Sequence, residues 1–281
     1  MPISRAARMT RTAISPRLAI RIFLSTSANV GGVTDPIGIA HRKLDSAPSW
    51  TVWEVASTGS TNADLLMWAD AGTAPDRSVL RADHQTAGRG RLDRRWEAPS
   101  GASLLASILF LAPPPVPTKL TQAVGRAALD AIEAVAERDL TGRLALKWPN
   151  DVLLDGRKVA GVLAQRSVRT AAVVVGLGLN VAWAPDDAAS LVDDLGLEVA
   201  PGALLDSLLR HLDDLLDASD LFERYRAKLA TLGADVRVDL PGGRVLVGVA
   251  TDLDADGRLL VDDGSGAVAL DVGDIVHLRT G

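Results

Sequence analysis

Two apolar runs on either side of an Asp-Gly pair limit what this chain can fold into more than any other feature. The runs are DVLL at 151–154 and RKVAGVLAQ at 157–165, with Asp155 and Gly156 between them. Asp-Gly favours the φ > 0 positions of a two-residue β-hairpin, so the pattern predicts two antiparallel strands. Further strands are predicted in TVWEVAST, SVLRAD, ASLLASILFL and AAVVVGLGLNV, with helices at 61–71, at 120–137 and, as a pair, within 201–231. Strands joined by hairpins, together with grouped helices, predict the α+β class with a mixed sheet covered by helices.

The pattern changes after Gly233. Short alternating segments separated by PGG, DADG and GSG predict four or five short strands, the size of an SH3-like β-barrel. We therefore predict a poorly ordered leader at 1–45, a main domain at 46–233 and a small β-barrel at 234–281.

The cysteine and histidine content excludes several kinds of active site. The sequence has no cysteine, so thiol catalysis, disulfides and cysteine-ligated zinc are excluded. Its four histidines are scattered and show no metal-ligand spacing. The longest uncharged stretches are interrupted by Pro, Gly, Ser or Asn, so no ~20-residue membrane span is predicted. We expect a globular cytoplasmic protein that does not contact a membrane.

Charge is distributed unevenly along the chain. Residues 1–45 hold seven basic and two acidic residues, whereas 46–281 hold 23 basic and 33 acidic ones, a net charge of −10. An acidic body disfavours a nucleic-acid surface, and the leader lacks a helix-turn-helix pattern, so no DNA partner is predicted. The Arg-rich leader superficially matches an organelle transit peptide; a misassigned start codon or a floppy extension is the alternative that we favour.

Two basic motifs stand out in this acidic body. GRGRLDRRW at 88–96 combines four arginines with glycines, and such a loop can bring guanidinium donors to a carboxylate or phosphate. A solvated basic turn is the alternative reading of this loop. In LKWPND at 146–151, Lys147 lies on a strand that Pro149 interrupts, either as a positioned charge or as a lysine that faces solvent.

A third motif, GLGLN at 176–180, follows directly on a strand. Val181 stands where a dinucleotide fingerprint needs its third glycine, so a Rossmann site is excluded, and no P-loop motif is present. The glycines predict that backbone closely approaches another group, next to Asn180, whose side chain both donates and accepts.

Taken together, five segments strongly resemble the biotin-protein ligases over residues 50–279. The segments are STN at 60–62, HQTAGRGR at 84–91, KWPNDVL at 147–153, GRKVAGVL at 156–163 and VVGLGLNV at 174–181. The resemblance implies a class II synthetase-like catalytic domain, here 46–233, and the monofunctional type without a DNA-binding domain. It also implies two reactions: biotin and ATP form biotinoyl-5'-AMP and pyrophosphate, and the biotinoyl group then passes to one lysine of a biotin carboxyl carrier domain, the expected protein partner.

The resemblance also implies roles for individual residues. The implied catalytic residues are Lys147, Arg91 and Arg89, with Lys147 bridging the biotin carboxylate and the α-phosphate. Biotin binding is implied for Ser60, Thr61, Asn62, Gln85, Gly88, Arg89, Gly90, Arg91, Lys147, Gly161 and Leu163. ATP binding is implied for Arg91, Trp96, Lys147, Asn150 and Asn180, and Mg²⁺ is expected to accompany ATP on ligands that the sequence does not identify. Fixed cations suit this chemistry, because a carboxylate must approach a triphosphate.

Some positions depart from the family pattern, and two other functions compete with this interpretation. Leu92 and Asp93 stand where a more basic Arg-Gly form is common, so Arg94 and Arg95 receive no role, and Gln165, which stands where glutamate is common, receives none either. Asp151 either supports the Mg²⁺ side of the site or begins a turn. A lipoate or octanoate ligase or transferase of the same superfamily would share the fold and a lysine but not these motifs together. A nucleic-acid-binding regulator would use the leader and the GRGR loop.

Overall fold

Two β-sheets organise the part of the chain that the structure, a computed structural model, describes: residues 39, 41–45, 47–92, 94–271 and 273–277. The strands of the large sheet are β1 His41–Leu44, β2 Ala47–Thr58, β3 Ser78–Gln85, β4 Ser103–Phe110, β5 Leu144–Lys147, β6 Asp151–Leu154, β7 Arg157–Arg166 and β8 Val173–Asn180. Those of the small sheet are β9 Asp235–Asp239, β10 Val245–Leu253, β11 Leu259–Asp262, β12 Ala267–Leu270 and β13 Asp274–His277. The helices are α1 Thr61–Asp70, α2 Thr118–Ala136, α3 Leu191–Leu195, α4 Pro201–Leu216 and α5 Leu221–Arg226, with a 3₁₀ turn at Pro241–Gly243.

The large sheet is mixed. Its strand order is β1-β2-β3-β4-β8-β7-β6-β5, and β2 and β3 pair in parallel while the other neighbours are antiparallel. The predicted hairpin is present, since Asp155 and Gly156 adopt φ values of 50° and 76° between β6 and β7. The small sheet is entirely antiparallel, in the order β12-β11-β10-β9-β13. The predicted fold class, a mixed sheet with covering helices followed by a small β-structure, is confirmed.

Helices cover the two faces of the large sheet unequally. The residues at 173, 175, 177 and 179 of β8 point to one face, where they join the core formed with α2 and α4. Alanines at 123, 127, 128 and 131 of α2 are fully buried there, which lets the helix approach the strands closely. On the other face, α1 packs over Trp53, Leu80 and Val174 and covers only part of the sheet. The uncovered part of that second face is the floor of a cleft.

The small sheet is joined to the large one beside the end of β5. The Trp148 indole N–H donates to the Gly257 carbonyl at 3.0 Å, and the Trp148 backbone N–H donates to Thr231 Oγ1 at 3.0 Å. Thr118, at the start of α2, donates through its hydroxyl to the Asp256 carbonyl at 2.8 Å. The bond to Gly257 ties the turn that follows Lys147 to the small sheet, and the bond from Thr118 ties α2 to the same loop of that sheet.

The end of the predicted leader, residues 41–44, forms a strand of the large sheet. His41–Leu44 forms β1, which pairs with β2, and its Leu44 is buried in the hydrophobic core of the main domain. The rest of the leader lies outside the described residues, apart from residues 39 and 45. The boundary at 233 stays a prediction; the transition from helix to the small sheet falls between α5 and β9. Among the described helices, none is long and apolar enough to cross a bilayer.

Candidate active site

Three glycines form the floor of the cleft, which has a volume of about 260 Å³. A Cβ on Gly176 would lie 2.3 Å from Asn62 Oδ1, and one on Gly178 would lie 2.4 Å from the Trp96 ring. A Cβ on Gly161 would lie 2.9 Å from the end of the Lys158 side chain. The close approach predicted for GLGLN therefore exists, and the groups that approach the backbone are the Asn62 amide and the Trp96 indole.

A buried polar network closes the cleft at the start of α1. The Thr61 backbone N–H and hydroxyl both donate to Gln85 Oε1, at 2.8 and 3.0 Å. Ser107 Oγ lies 2.6 Å from both Thr61 Oγ1 and Asn62 Oδ1. Asn62 Nδ2 donates to the Leu163 carbonyl at 3.1 Å and to Gln165 Oε1 at 2.8 Å. The network fixes the orientation of buried donors and acceptors at this end of the cleft, which suits recognition of a small polar ligand.

The arginine loop folds back over the mouth of the cleft. The Gly90 N–H donates to the Arg94 carbonyl at 2.7 Å, and the Trp96 N–H donates to the Gly88 carbonyl at 3.1 Å. A Cβ on Gly88 would lie 2.3 Å from the Trp96 carbonyl oxygen, so glycine is needed for this narrow loop. Arg89 is exposed at the mouth. The loop thus carries an aromatic ring into the cleft and leaves a cation at its entrance.

Lys158 supplies a cation inside the cleft, in addition to Arg89 at its mouth. Its ammonium group lies 2.7 Å from Asp151 Oδ1 and 5.6 Å from the centroid of the Trp96 ring. Strict alternation along β7 from Gly161 would place Val159 in the cleft and Lys158 on the opposite face. The pairing instead passes from Val152↔Ala160 to Leu153↔Lys158, so β7 bulges at Val159. The bulge buries Val159 and turns Lys158 towards the cleft.

Arg91 connects the loop to both sheets. Its Nη1 donates to Asn150 Oδ1 at 3.2 Å and to the Gly273 carbonyl at 3.3 Å. Asn150 is itself held on β7, because its Nδ2 donates to the Val162 carbonyl at 2.9 Å. Burial lowers the pKa of Arg91 from its ordinary value, while the carboxylates of Asp151 and Asp274 oppose that shift. The guanidinium keeps its charge at neutral pH and remains available to an anion in the cleft.

Two predicted site residues do not line the cleft. The lining includes Ser60, Thr61, Asn62, Gln85, Arg89, Gly90, Arg91, Trp96, Asn150, Gly161, Leu163 and Asn180. Gly88 is buried behind the loop, and Lys147 lies on the edge strand β5, two strands from the floor strand β7. The positive charge of Lys147 acts on His277 of the small sheet. Lys147 therefore lies outside the cleft and Lys158 lies inside it, while the catalytic role of Lys147 stays a prediction.

Several lining residues were not assigned to biotin or ATP from the sequence. These residues are Ser107, Asp151, Lys158 and Asp274. Asn180, which was predicted to bind ATP, is anchored in the cleft by a bond from its Nδ2 to the Ala189 carbonyl at 3.0 Å. Lys158 belongs to the quoted segment GRKVAGVL, so the segment was recognised but its lysine was not. Ser107 and Asp274 had no sequence signal, because their place in the cleft depends on pairings between distant strands.

Comparison with known protein families identifies the class of protein to which this fold and cleft belong. A model of the biotin/lipoate A/B protein ligase family matches residues 56–180, and a model of the biotin protein ligase C-terminal domain matches residues 231–278. The first match contains most of the cleft, and the second coincides with the small sheet. The fold and site are therefore those of a biotin/lipoate-type ligase with the C-terminal domain found in biotin protein ligases.

Individual relatives show which family within this class the chain belongs to. The chain is 44% identical over 260 residues to a biotin--[acetyl-CoA-carboxylase] ligase of Mycobacterium tuberculosis, which covers 87% of this chain and 96% of that protein. It is 38% identical over 198 residues to the enzyme of the same name from Paracoccus denitrificans, covering 64% and 74% of the two chains. A solved biotin protein ligase from Aquifex aeolicus in complex with biotin and ATP superposes with a TM-score of 0.69 at 26% identity, covering 82% and 99%. The chain belongs to the biotin-protein ligase family, as its motifs predicted.

Proposed function

We propose that this enzyme activates biotin with ATP and transfers it to one lysine of a biotin carboxyl carrier domain. A carboxylate oxygen of biotin attacks the α-phosphorus of ATP and the bond to the β-phosphate bridging oxygen breaks, which yields biotinoyl-5'-AMP and pyrophosphate. The lysine amine of the carrier then attacks the carbonyl carbon, AMP leaves, and the amine loses a proton. Relatives named for biotin--[acetyl-CoA-carboxylase] ligation support both the reaction and a carboxylase carrier as the partner.

One arrangement in the cleft carries this proposal: a polar network lies next to a cationic patch. Leu163, to which Asn62 donates, is two residues along β7 from Gly161, against which the Lys158 ammonium lies. Two residues of strand span about 7 Å, the length of a short acyl chain that joins a ring to a carboxylate. The network would hold the ureido ring of biotin, and Lys158 and Arg91 would hold the carboxylate against the α-phosphate.

The remaining cleft residues fit the nucleotide and the intermediate. Arg89 at the mouth would meet phosphate oxygens, and Trp96 would cover the anhydride and exclude water from it. Asn150 and Asn180 would contact ATP or its metal ion. Among the described residues, no three His, Asp or Glu side chains converge to hold a metal. Mg²⁺ usually keeps several waters and binds substrate phosphates with one or two protein carboxylates, a role that Asp151 could fill.

A transfer assay tests the proposal directly. The protein is incubated with ATP, Mg²⁺, a carrier domain and either labelled biotin or labelled lipoate, and the label on the carrier is measured. We expect transfer of biotin and none of lipoate, together with biotin-dependent release of pyrophosphate. Transfer of lipoate alone would contradict the proposal and support the rival ligase of the same superfamily. A cytoplasmic location stays a prediction.

A further inference from the structure

The arginine loop is attached to the small sheet at two neighbouring residues of that sheet. Arg94 forms an ion pair with Asp274, the first residue of β13. Arg91 Nη1 donates to the carbonyl oxygen of Gly273, the residue before it, at 3.3 Å. The side chains of Arg91 and Arg94 therefore connect the loop to a separate part of the fold.

Arg94 is placed where it can restrain the loop as a whole. Its carbonyl oxygen accepts from the Gly90 N–H at 2.7 Å, and its own N–H donates to the Arg91 carbonyl at 3.2 Å, so its backbone joins the two sides of the loop. Two residues further along the chain, the Trp96 ring lies against Gly178 of the cleft floor. A contact that fixes Arg94 therefore also restrains the aromatic ring inside the cleft.

Asp274 acts from a fixed position and on two arginines. It belongs to a strand of the small sheet, and that sheet is bonded to the main domain through Trp148 and Thr118. Burial is the largest cause of the lowered pKa of Arg91, the charge of Arg94 lowers this pKa further, and the charge of Asp274 opposes both. The Asp274 carboxylate thus offsets part of the repulsion between the two arginines of the loop.

We propose that Asp274 is a positioning residue that, through Arg94, holds the arginine loop over biotinoyl-5'-AMP and slows the release of this intermediate; this inference rests on the proposed function. A mixed anhydride must stay in the cleft until a carrier lysine arrives, because water hydrolyses it once it is released. A carboxylate has the wrong sign of charge to bind the phosphate of the intermediate. The contribution of Asp274 to retention therefore comes through the arginine that it holds.

Removing the charge of Asp274 separates this inference from a direct electrostatic effect, because the two have opposite signs. Without the carboxylate, the cleft wall is more positive, and a direct effect would bind the anionic intermediate more tightly and slow its release. Loss of the hold on Arg94 makes release faster. We expect Asp274→Asn to raise the rate of release on the order of fivefold, the factor that corresponds to about 1 kcal/mol, the upper end for an exposed ion pair.

Further variants assign the effect to the contact between Asp274 and Arg94. Arg94→Gln should raise the rate of release by a similar factor, and the double variant should release the intermediate no faster than either single variant, because both changes break the same contact. Asp274→Glu keeps the carboxylate and should keep release slow. The matched control is Asp239→Asn. Asp239 pairs with Asp274 across β9 and β13, but it does not line the cleft and its carboxylate accepts from Arg237 at 2.9 Å, so its loss should leave release unchanged.

The measurement is the dissociation of labelled biotinoyl-5'-AMP. The intermediate is formed on the enzyme from labelled biotin, ATP and Mg²⁺, and the complex is then diluted into EDTA with excess unlabelled biotin, so that a metal ion on Asp274 plays no part. The rate of the first step, followed by pyrophosphate release in a single turnover, should change by a smaller factor, because Arg91 keeps its bond to Asn150. Added salt should reduce the difference between the wild type and Asp274→Asn.

Several results would overturn the inference. They are unchanged or slower release in Asp274→Asn, additive effects in the double variant, faster release in Asp239→Asn, and an equal change in the rate of the first step. A wild type that forms no biotinoyl-5'-AMP would count against the proposed function instead, independently of Asp274.

Discussion

Replacing Lys158 with methionine keeps the apolar stem of the side chain and removes its charge. The ammonium group contacts Asp151 at 2.7 Å and lies against Gly161 on the cleft floor. A carboxylate or phosphate oxygen bound there lies within about 4 Å, where two unit charges interact by about 4 kcal/mol at an effective dielectric constant near 20. Asp151 offsets part of this attraction. We therefore expect the transition state of the first step to lose about 3 kcal/mol, which lowers the rate on the order of 10²-fold.

The assay is biotin-dependent exchange of pyrophosphate into ATP, which needs no carrier. Lys147→Met is the matched control, because it removes the same charge from the edge strand β5. At about 10 Å and at a dielectric constant close to that of water, its effect is about 0.4 kcal/mol, or about twofold. Lys158→Arg keeps the charge beside Asp151, so it should retain more activity than Lys158→Met. A loss in Lys147→Met that equals or exceeds the loss in Lys158→Met would refute the placement of the catalytic charge on Lys158.

Two other substitutions follow from contacts described above. Gly178→Ala places a methyl group 2.4 Å from the Trp96 ring, so the indole must move. We expect weaker biotin binding in calorimetry and altered tryptophan fluorescence. An unchanged biotin affinity would contradict the inference that the cleft needs glycine at this position. Burial, with the charge of Lys147 as the second cause, lowers the pKa of His277 below its ordinary value. The unfolded chain then binds the proton more readily, so this histidine destabilises the fold increasingly as pH falls through about 6.5. His277→Gln should therefore lose less thermal stability than the wild type between about pH 7.5 and 5.5, and an equal loss would count against this assignment.

Local sequence signals were enough to predict most of the architecture. The Asp155-Gly156 turn, the helix that begins after Ser60 and the short alternating strands after Gly233 each depend on residues close together in the chain. The strand β1 was not predicted, because its four residues show no regular alternation and are ordered by pairing with β2. The short helix α3 was also not predicted, since five residues give too little periodicity to recognise.

The cleft was predicted as a set of motifs but not as an arrangement of side chains. Lys147 was chosen from its place in the motif KWPND, whereas Lys158 points into the cleft because β7 bulges at Val159. A bulge depends on how two strands fit against each other, and neither sequence reveals it alone. Asp274 reaches the cleft because the small sheet docks beside the arginine loop, which is likewise a tertiary effect.

The glycines of the cleft floor have a thermodynamic consequence for ligand binding. Where Gly161, Gly176 and Gly178 form the wall, a ligand contacts backbone, which strand pairing already holds in place. A wall built from long side chains would lose rotamer freedom on binding, at about 0.5–1.5 kcal/mol for each side chain that becomes fixed. A backbone wall has no side-chain rotamers to lose, so contacts with the floor retain more of their favourable free energy. A small ligand, which makes few contacts, gains most from such a preorganised surface.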